Sequence, residues 1–160
     1  MTESTVNFIQ ILSSLKTGDL GRLRKLANRP LDETVDGFDL FAGLWWPLRQ
    51  KNQFAPRREV AWLIAKLYGF CPVEQQEGTT LARQLGTLPK DENCQKYQRR
   101  FDRLLQLPLN QLEEPLQQIL RILARYERPL DWACLTDDLS RWENQEIRLR
   151  WAKEYLGQNS

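Results

Sequence analysis

Apolar residues recur at helical spacing in two consecutive stretches between Lys96 and Trp132. Side chains three or four residues apart share one face of an α-helix, so this spacing predicts two amphipathic helices that face one core. The apolar positions are Tyr97, Phe101, Leu104 and Leu105 in the first stretch, and Leu112, Leu116, Ile119, Leu120 and Leu123 in the second. The pattern therefore places the centre of the fold in this helix pair.

Similar spacing predicts further helices on both sides of the pair. They cover Thr5–Leu15, a segment from the cap Asp19 or Thr17 to Ala27, Phe38–Trp46, Pro56–Phe70, a short segment from Thr79 or Thr80 to Leu88, a segment from the cap Asp131 to Trp142, and Glu146–Leu156. No strand-like alternation and no repeat is found, so the fold class is all-α, with about eight or nine helices. We expect a single helical domain over residues 1–160, or two packed subdomains over residues 1–90 and 91–160.

Composition narrows the class of protein. The chain has 160 residues, of which 41% are hydrophobic and 28% are charged, as in globular domains. No apolar run reaches the roughly 20 residues that a membrane span needs, and the first 15 residues lack the pattern of a signal peptide. We therefore expect a cytoplasmic protein with no membrane partner.

The residue types argue against most catalytic chemistry. Cys71, Cys94 and Cys134 are widely spaced and form no CxxC pair, which argues against a disulfide framework or structural zinc. Histidine is absent, and no phosphate-binding glycine loop or HExxH motif occurs. Asp137 and Asp138 are neighbours on one helix and point in different directions, so they cannot form a close acid–base pair alone. We predict a protein that is not an enzyme and that needs no metal and no cofactor.

Basic residues are concentrated on particular helix faces, although the net charge is only +2. The row behind the apolar seam of the first central helix follows an i, i+3, i+4, i+7 pattern. The candidate nucleic-acid-binding residues are Lys96, Arg99, Arg100 and Arg103 in that row, with Arg22, Arg24 and Lys25, Arg57 and Arg58, and Arg83 on other helices. Such rows indicate sequence-independent binding to a phosphate backbone. A charged row is also typical of any solvated helix face, and the alternative is a helical interaction module that binds acidic partners.

The expected start of the helix near Pro56 is unusual, because Arg57 and Arg58 fall where the helix dipole is positive. Ala55 offers no capping oxygen, so a bound phosphate could satisfy the first N–H groups of the helix. Glu59 and water could do the same, and the residues alone leave both interpretations open.

Several segments together resemble a known family. They are RRFDRLL at 99–105, PLDWACLTDDLSRW at 129–142 and RLRWAKEY at 148–155, with GDLGRLRKLA at 18–27, APRRE at 55–59 and TTLARQL at 79–85 upstream. In this order and spacing, they resemble the small subunit, of the CasB type, of the type I-E CRISPR interference complex, Cascade. The similarity extends over essentially the whole chain, and the DW…DL..W block is its most specific part.

This resemblance implies an all-helical, non-enzymatic subunit. Its expected partners are the other Cascade subunits, a second copy of itself, the guide RNA and the target DNA. It would stabilise the R-loop formed by guide and target, including the displaced strand. Arg24, Lys25, Arg57, Arg99 and Arg100 match basic positions of the family, whereas the other candidates come from helix geometry.

The chain departs from the family pattern just after Trp142. Family members can have a basic cluster there, and this chain has ENQE at residues 143–146. Strand contact by this segment is therefore in doubt, with Arg148 or Arg150 as substitutes.

Overall fold

A computed structural model of the chain describes residues 3–29, 56–89 and 92–157. Within these ranges it contains eight α-helices, one 3-10 turn and no strand longer than a single bridge, between Gln75 and Leu130. The all-α fold class is therefore confirmed. The helices are α1 Glu3–Ser13, α2 Thr17–Lys25, α3 Arg58–Phe70, α4 Leu81–Gly86, α5 Cys94–Gln106, α6 Glu113–Arg125, α7 Trp132–Ser140 and α8 Gln145–Tyr155, with the 3-10 turn at Leu109–Gln111. The expected helix Phe38–Trp46 lies outside the described residues.

The chain divides into two compact units, residues 1–72 and 73–160. In the first unit α2 packs closely on α3. Gly69 permits this approach, because a Cβ at that position would lie 2.6 Å from the Cβ of Leu23. Buried apolar side chains from the three helices that the structure describes here line the interior of this unit, among them Phe8, Leu12, Leu23, Leu26, Val60, Ile64 and Leu67. The prediction of one domain or of two subdomains stays a prediction.

The second unit contains the central helix pair, and its apolar faces are buried as the spacing predicted. Tyr97, Phe101 and Leu104 of α5 are buried, while Leu105 is half-buried. All five apolar positions predicted for the second stretch are also buried. The short helix α4 packs against α8 and α6, and Trp132 and Trp142 are completely enclosed. The faces of α5 and α6 are thus set by the hydrophobic period.

Helix ends follow the predicted capping residues in two cases. Asp131 caps α7 by accepting a hydrogen bond from the N–H of Cys134, and Thr80 caps α4 by accepting one from the N–H of Arg83. Other boundaries differ from the predicted ones by one or two residues, and two of these errors have a visible cause. Helix α3 begins at Arg58 instead of Pro56, because Arg57 has an extended ψ of 150°.

The second wrong boundary concerns Trp142, which was expected on α7. That helix ends at Ser140, and Trp142 lies in the following turn. The turn directs the indole inward, where its Nε1 donates to the carbonyl of Leu107 at 2.9 Å. A hydrogen bond from a buried tryptophan decides the end of the helix here, and the 3.6-residue period cannot show it.

Candidate nucleic-acid interface

The most regular basic surface lies on α5 and is here called the α5 ridge: Lys96, Arg99, Arg100 and Arg103. Three of these side chains are exposed and Arg100 is half-buried. The ridge extends over seven residues, or about 10 Å at 1.5 Å per residue. The opposite face of the same helix is held in the core by Tyr97, Phe101 and Leu104. A helix fixed in this way holds its four cations at defined spacing.

The ridge cations pair with no carboxylate in the part of the chain that the structure describes. Among the residues that the structure describes, none forms a salt bridge or side-chain hydrogen bond with these four side chains. Asp102 lies on the same helix, exposed, and is not paired with them. Within the described residues, these cations thus have no internal anion as a partner.

Arg83 belongs to the same unit but to another helix. It lies in α4 and its side chain is exposed. Its backbone N–H donates to the cap Thr80, so its position depends on that cap. Arg83 thus adds a fifth exposed or partly exposed cation to those predicted for the second unit.

In the first unit the predicted residues belong to two packed helices. Arg22, Arg24 and Lys25 lie in the last turn of α2 and are exposed. Cations at a helix C-terminus complement the helix dipole, which is a structural reason for their presence alongside the functional one. Both explanations agree with the observed exposure.

Arg57 and Arg58 lie at the start of α3, as expected, and both are exposed. Arg57 is the N-cap residue, and its side chain makes no capping hydrogen bond to the helix. Glu59 occupies the first turn and complements the dipole there. The basic pair and the acidic residue are thus combined at one helix end, and both interpretations of this start still stand.

The ten candidate residues divide evenly, with five in each unit. Arg22, Arg24, Lys25, Arg57 and Arg58 fall within residues 1–72, and Arg83 and the α5 ridge fall within residues 73–160. The residues of the first group lie on α2 and at the start of α3, two helices that pack together. The α5 ridge supplies four of the five residues of the second group. A continuous track made by both groups stays a prediction.

Arg148 and Arg150, named as substitutes for the missing basic cluster, have internal partners. The guanidinium of Arg150 pairs with Asp138, and its Nε lies 3.5 Å from the carboxylate of Glu154. Arg148 donates to the carbonyl of Trp142 at 3.1 Å, with its guanidinium 5.5 Å from the centre of the Trp142 ring. Both cations therefore hold this part of the fold together.

The ENQE segment also has a structural role that the sequence prediction missed. Asn144 is the N-cap of α8 and accepts a hydrogen bond from the N–H of Glu146 at 3.0 Å. Asn followed by Glu within the first turn is a standard helix start, and this signal could have identified the cap.

Asp131 and Trp132 belong to the most specific block of the sequence resemblance. Their hydrogen bonds connect the start of α7 to the loop at residues 73–78. Asp131 is buried and accepts hydrogen bonds from the N–H of Gly78 at 2.9 Å and from the amide of Gln75 at 3.1 Å. The indole of Trp132 donates to the carbonyl of Val73 at 2.7 Å. This pair therefore fixes a loop and is not exposed to a partner.

Asp138 of the same block sits in a second buried network. It accepts hydrogen bonds from Arg150, from the indole of Trp151 at 2.8 Å and from the thiol of Cys134 at 3.6 Å. Burial and the nearby carboxylate of Asp138 raise the pKa of the Cys134 thiol to about 12. This thiol is thus kept protonated and unreactive near neutral pH.

Metal ligands and membrane spans are both missing from the described ranges. No group of three or more Asp, Glu, Cys or His side chains there is arranged to hold a metal ion. No helix in those ranges has the length and apolar character needed to cross a bilayer.

Comparison with known proteins relates this fold to a family. The protein-family model described as CRISPR-associated protein Cse2 matches residues 19–156 of the chain. The chain belongs to the Cse2 family. A Cse2 protein of Thermus thermophilus is 36% identical over 102 residues, which is 62% of this chain and 57% of that relative. The aligned stretch thus spans little more than half of the relative's length.

Solved structures of Cse2-family proteins have the same fold. A crystal structure of a Cse2-family protein from Thermus thermophilus superposes with a TM-score of 0.77 at 27% identity, covering 98% of this chain and 99% of the other. CasB from M. ruber superposes with a TM-score of 0.76 at 21% identity, covering 97% and 93%. At that lower identity the likeness shows the fold alone. The resemblance to the CasB-type small subunit of Cascade, drawn from the sequence, is confirmed.

Proposed function

We propose that this Cse2-family chain is a non-catalytic, nucleic-acid-binding subunit of Cascade in the cytoplasm. Its basic helix faces contact sugar-phosphate backbones of the R-loop formed by guide RNA and target DNA, including the displaced strand. The other Cascade subunits and a second copy of the chain are its protein partners. Family membership supports the assignment to the complex, and the α5 ridge supports the contact with nucleic acid.

The α5 ridge is the observation that carries this proposal. Its cations are held by a helix whose other face is buried, so little conformational freedom of the backbone is lost when they meet a phosphate chain. Each phosphate that they neutralise releases a counterion, which favours binding at low salt whatever the base sequence. Arginine forks also match phosphate oxygens in a bidentate way.

Salt dependence provides the test. If about five phosphates of a single strand are contacted, a slope near −0.7 per contact predicts roughly a hundredfold loss of affinity between 50 and 200 mM salt. We would measure this by fluorescence anisotropy with labelled single-stranded DNA, duplex DNA and RNA. Folding would be checked by circular dichroism under the same conditions.

A charge-matched pair of variants assigns the effect to the α5 ridge. Lys96→Ala, Arg99→Ala and Arg103→Ala together remove three ridge cations. The control removes three exposed cations from other helices and turns of the same unit: Arg125→Ala, Arg141→Ala and Lys153→Ala. Both variants shift the net charge from +2 to −1, since each loses three positive charges. Because about two phosphates would still be neutralised, the ridge variant should weaken only about sevenfold between 50 and 200 mM salt, while the control keeps the wild-type slope.

Two results would contradict the proposal. Equal slopes for the two variants would mean that overall charge, and not the α5 ridge, governs binding. A folded wild-type protein that binds no nucleic acid at 50 mM salt would favour the alternative, in which the basic faces meet acidic protein partners.

A further inference from the structure

One acidic residue interrupts the basic character of α5. Asp102 is the one carboxylate in this helix of 13 residues. It is exposed, and it pairs with no cation in the part of the chain that the structure describes. Arg99 lies three residues earlier, and positions three apart on a helix have Cβ atoms about 5–6 Å from each other. A carboxylate at this distance lowers the positive potential around the arginine.

Asp102 and Arg100 border the α5 ridge on opposite sides. Successive side chains are about 100° apart around a helix, because it has 3.6 residues per turn. From the buried Phe101 as origin, Asp102 lies at about 100° and Arg100 at about 260°. The other ridge cations lie between them, at about 160° for Arg99, about 200° for Arg103 and about 220° for Lys96. One side of the basic row therefore ends at an acid and the other at an arginine.

The side with Asp102 faces the C-terminal end of α8. The Tyr155 ring stacks on Phe101, with 4.5 Å between the ring centres. Burial, and then Cys94 and Asp102, raise the pKa of the Tyr155 hydroxyl, so the Asp102 carboxylate lies near this end of α8. Lys153, in the same turn, lies two residues before Tyr155 and does not share its face. Since the carbonyl groups at a helix C-terminus also carry partial negative charge, this border of the ridge is electronegative.

The border at Arg100 has the opposite character. Arg100 is half-buried and pairs with no carboxylate among the described residues. Partial burial reduces the solvent screening of a charge, so a phosphate beside Arg100 is attracted more strongly than one beside a fully exposed cation. A phosphate chain that contacts α5 is thus drawn to one border and repelled from the other.

We propose that Asp102 determines the path of the nucleic acid across α5, by excluding the sugar-phosphate chain from the α8 side and directing it along the Arg100 side. The carboxylate lowers the total affinity of the ridge and selects one of two paths. Specificity is commonly obtained in this way, by a like charge that opposes the wrong arrangement. This inference rests on the proposed function, because it requires a ridge that binds phosphates.

Two variants with the same charge change test the repulsion. Asp102→Asn removes the carboxylate beside the ridge, and Glu74→Gln removes an exposed one in the loop at residues 73–78. Each raises the net charge from +2 to +3, since one negative charge is lost. Both should melt like the wild type, because an exposed and unpaired carboxylate contributes little to the fold.

The affinity for labelled single-stranded DNA separates the two variants. Asp102→Asn should tighten binding about two- to fivefold at 50 mM salt, because unit charges about 4–8 Å apart in water repel each other by that amount. At 200 mM salt the gain should be less than about twofold, because the Debye length falls from about 14 Å to about 7 Å. Glu74→Gln should change the affinity by less than about 1.5-fold at both concentrations.

A photoreactive side chain locates the path directly. Gln98 is exposed and lies one turn before Asp102 on the same border, whereas Lys96 belongs to the ridge. With the protein saturated by DNA, a benzophenone amino acid at position 98 should crosslink little in the otherwise wild-type chain. Its crosslinking should rise at least about threefold when Asp102→Asn is added. The same group at position 96 should crosslink equally in both backgrounds.

The path and the proposed function fail in distinguishable ways. Unchanged or weaker binding by Asp102→Asn would overturn the path, and so would an equal gain from Glu74→Gln. Strong crosslinking at position 98 in the wild-type background, or none in either background, would overturn it as well. If the ridge variant shows its reduced slope and Asp102→Asn changes nothing, the path is wrong and the proposed function stands. If the ridge variant keeps the slope of its control, the proposed phosphate contacts fail and the path fails with them.

Discussion

Replacing Asp138 with asparagine should destabilise the second unit strongly. Asp138 is 2% exposed, and one of its oxygens accepts from Arg150, from the indole of Trp151 and from the thiol of Cys134. Asparagine has nearly the same shape but lacks the charge. The change therefore leaves the Arg150 guanidinium with Glu154, at 3.5 Å, as its remaining carboxylate partner.

The magnitude follows from burial. Breaking a fully buried ion pair by removing one partner costs about 3–5 kcal/mol. The Arg150 side chain is 33% exposed and can regain water, which lowers the expected loss to about 2–4 kcal/mol. With an m-value of about 2 kcal/mol per molar urea, the unfolding midpoint should fall by about 1–2 M.

Near-UV circular dichroism provides the assay, because Trp142 and Trp151 stack edge-to-face at 5.0 Å and report packing beside Asp138. Asp102→Asn makes the same chemical change at an exposed position and should alter the free energy of unfolding by less than about 0.5 kcal/mol. A double-mutant cycle with Arg150→Gln should give a coupling energy above about 1 kcal/mol. An Asp138→Asn protein as stable as its Asp102→Asn control would refute the stabilising role of this network.

Three further predictions concern helix packing, the reactivity of Cys134 and the hydrogen bond between Asp131 and the Gly78 loop. Gly86→Ala should destabilise the protein by about 1–3 kcal/mol, because the added Cβ would overlap the carbonyl of Tyr155. Gly21→Ala places its Cβ in open space on a helix and should stabilise the protein by about 0.5–1 kcal/mol. Thermal melts of both variants check this. With its pKa raised from 9.0 to about 12, Cys134 should react with iodoacetamide at pH 8 about a thousandfold more slowly than an ordinary thiol. The reaction rate should rise tenfold per pH unit towards pH 12. Mass spectrometry measures the rate in a variant whose other cysteines are serine, with the urea-unfolded chain as the control. Asp131→Asn should speed hydrogen exchange at the Gly78 amide, and an unchanged exchange rate would show that this bond does not hold the loop.

The hydrophobic period predicted the central fold well, for a physical reason. Burial of the apolar faces of α5 and α6 is the largest favourable contribution to their folding free energy. The helical spacing of Tyr97, Phe101, Leu116 and Leu120 shows directly which faces are buried. The caps Thr80 and Asp131 were also predictable, since a side-chain oxygen at a helix start satisfies a local N–H group. In each of these cases, residues close together in the sequence carry enough information to predict the structure.

Features that depend on distant partners could not be predicted in this way. The position of Trp142 is decided by a carbonyl 35 residues earlier, and Arg150 is engaged by Asp138 on another helix. From sequence alone, Arg150 was indistinguishable from an arginine available to a strand. The exposure of the ridge arginines could be predicted, because a regular row opposite a buried seam faces away from the core.

The most specific residues of the sequence resemblance and the residues proposed to bind nucleic acid have opposite environments. Asp131, Trp132 and Asp138 are buried and fully engaged, so changing them disturbs the fold itself. The α5 ridge is largely exposed and contributes little to the core, so we expect the fold to tolerate its replacement. Substitutions at the α5 ridge should therefore separate binding from folding, whereas substitutions in the DW block should remove both together.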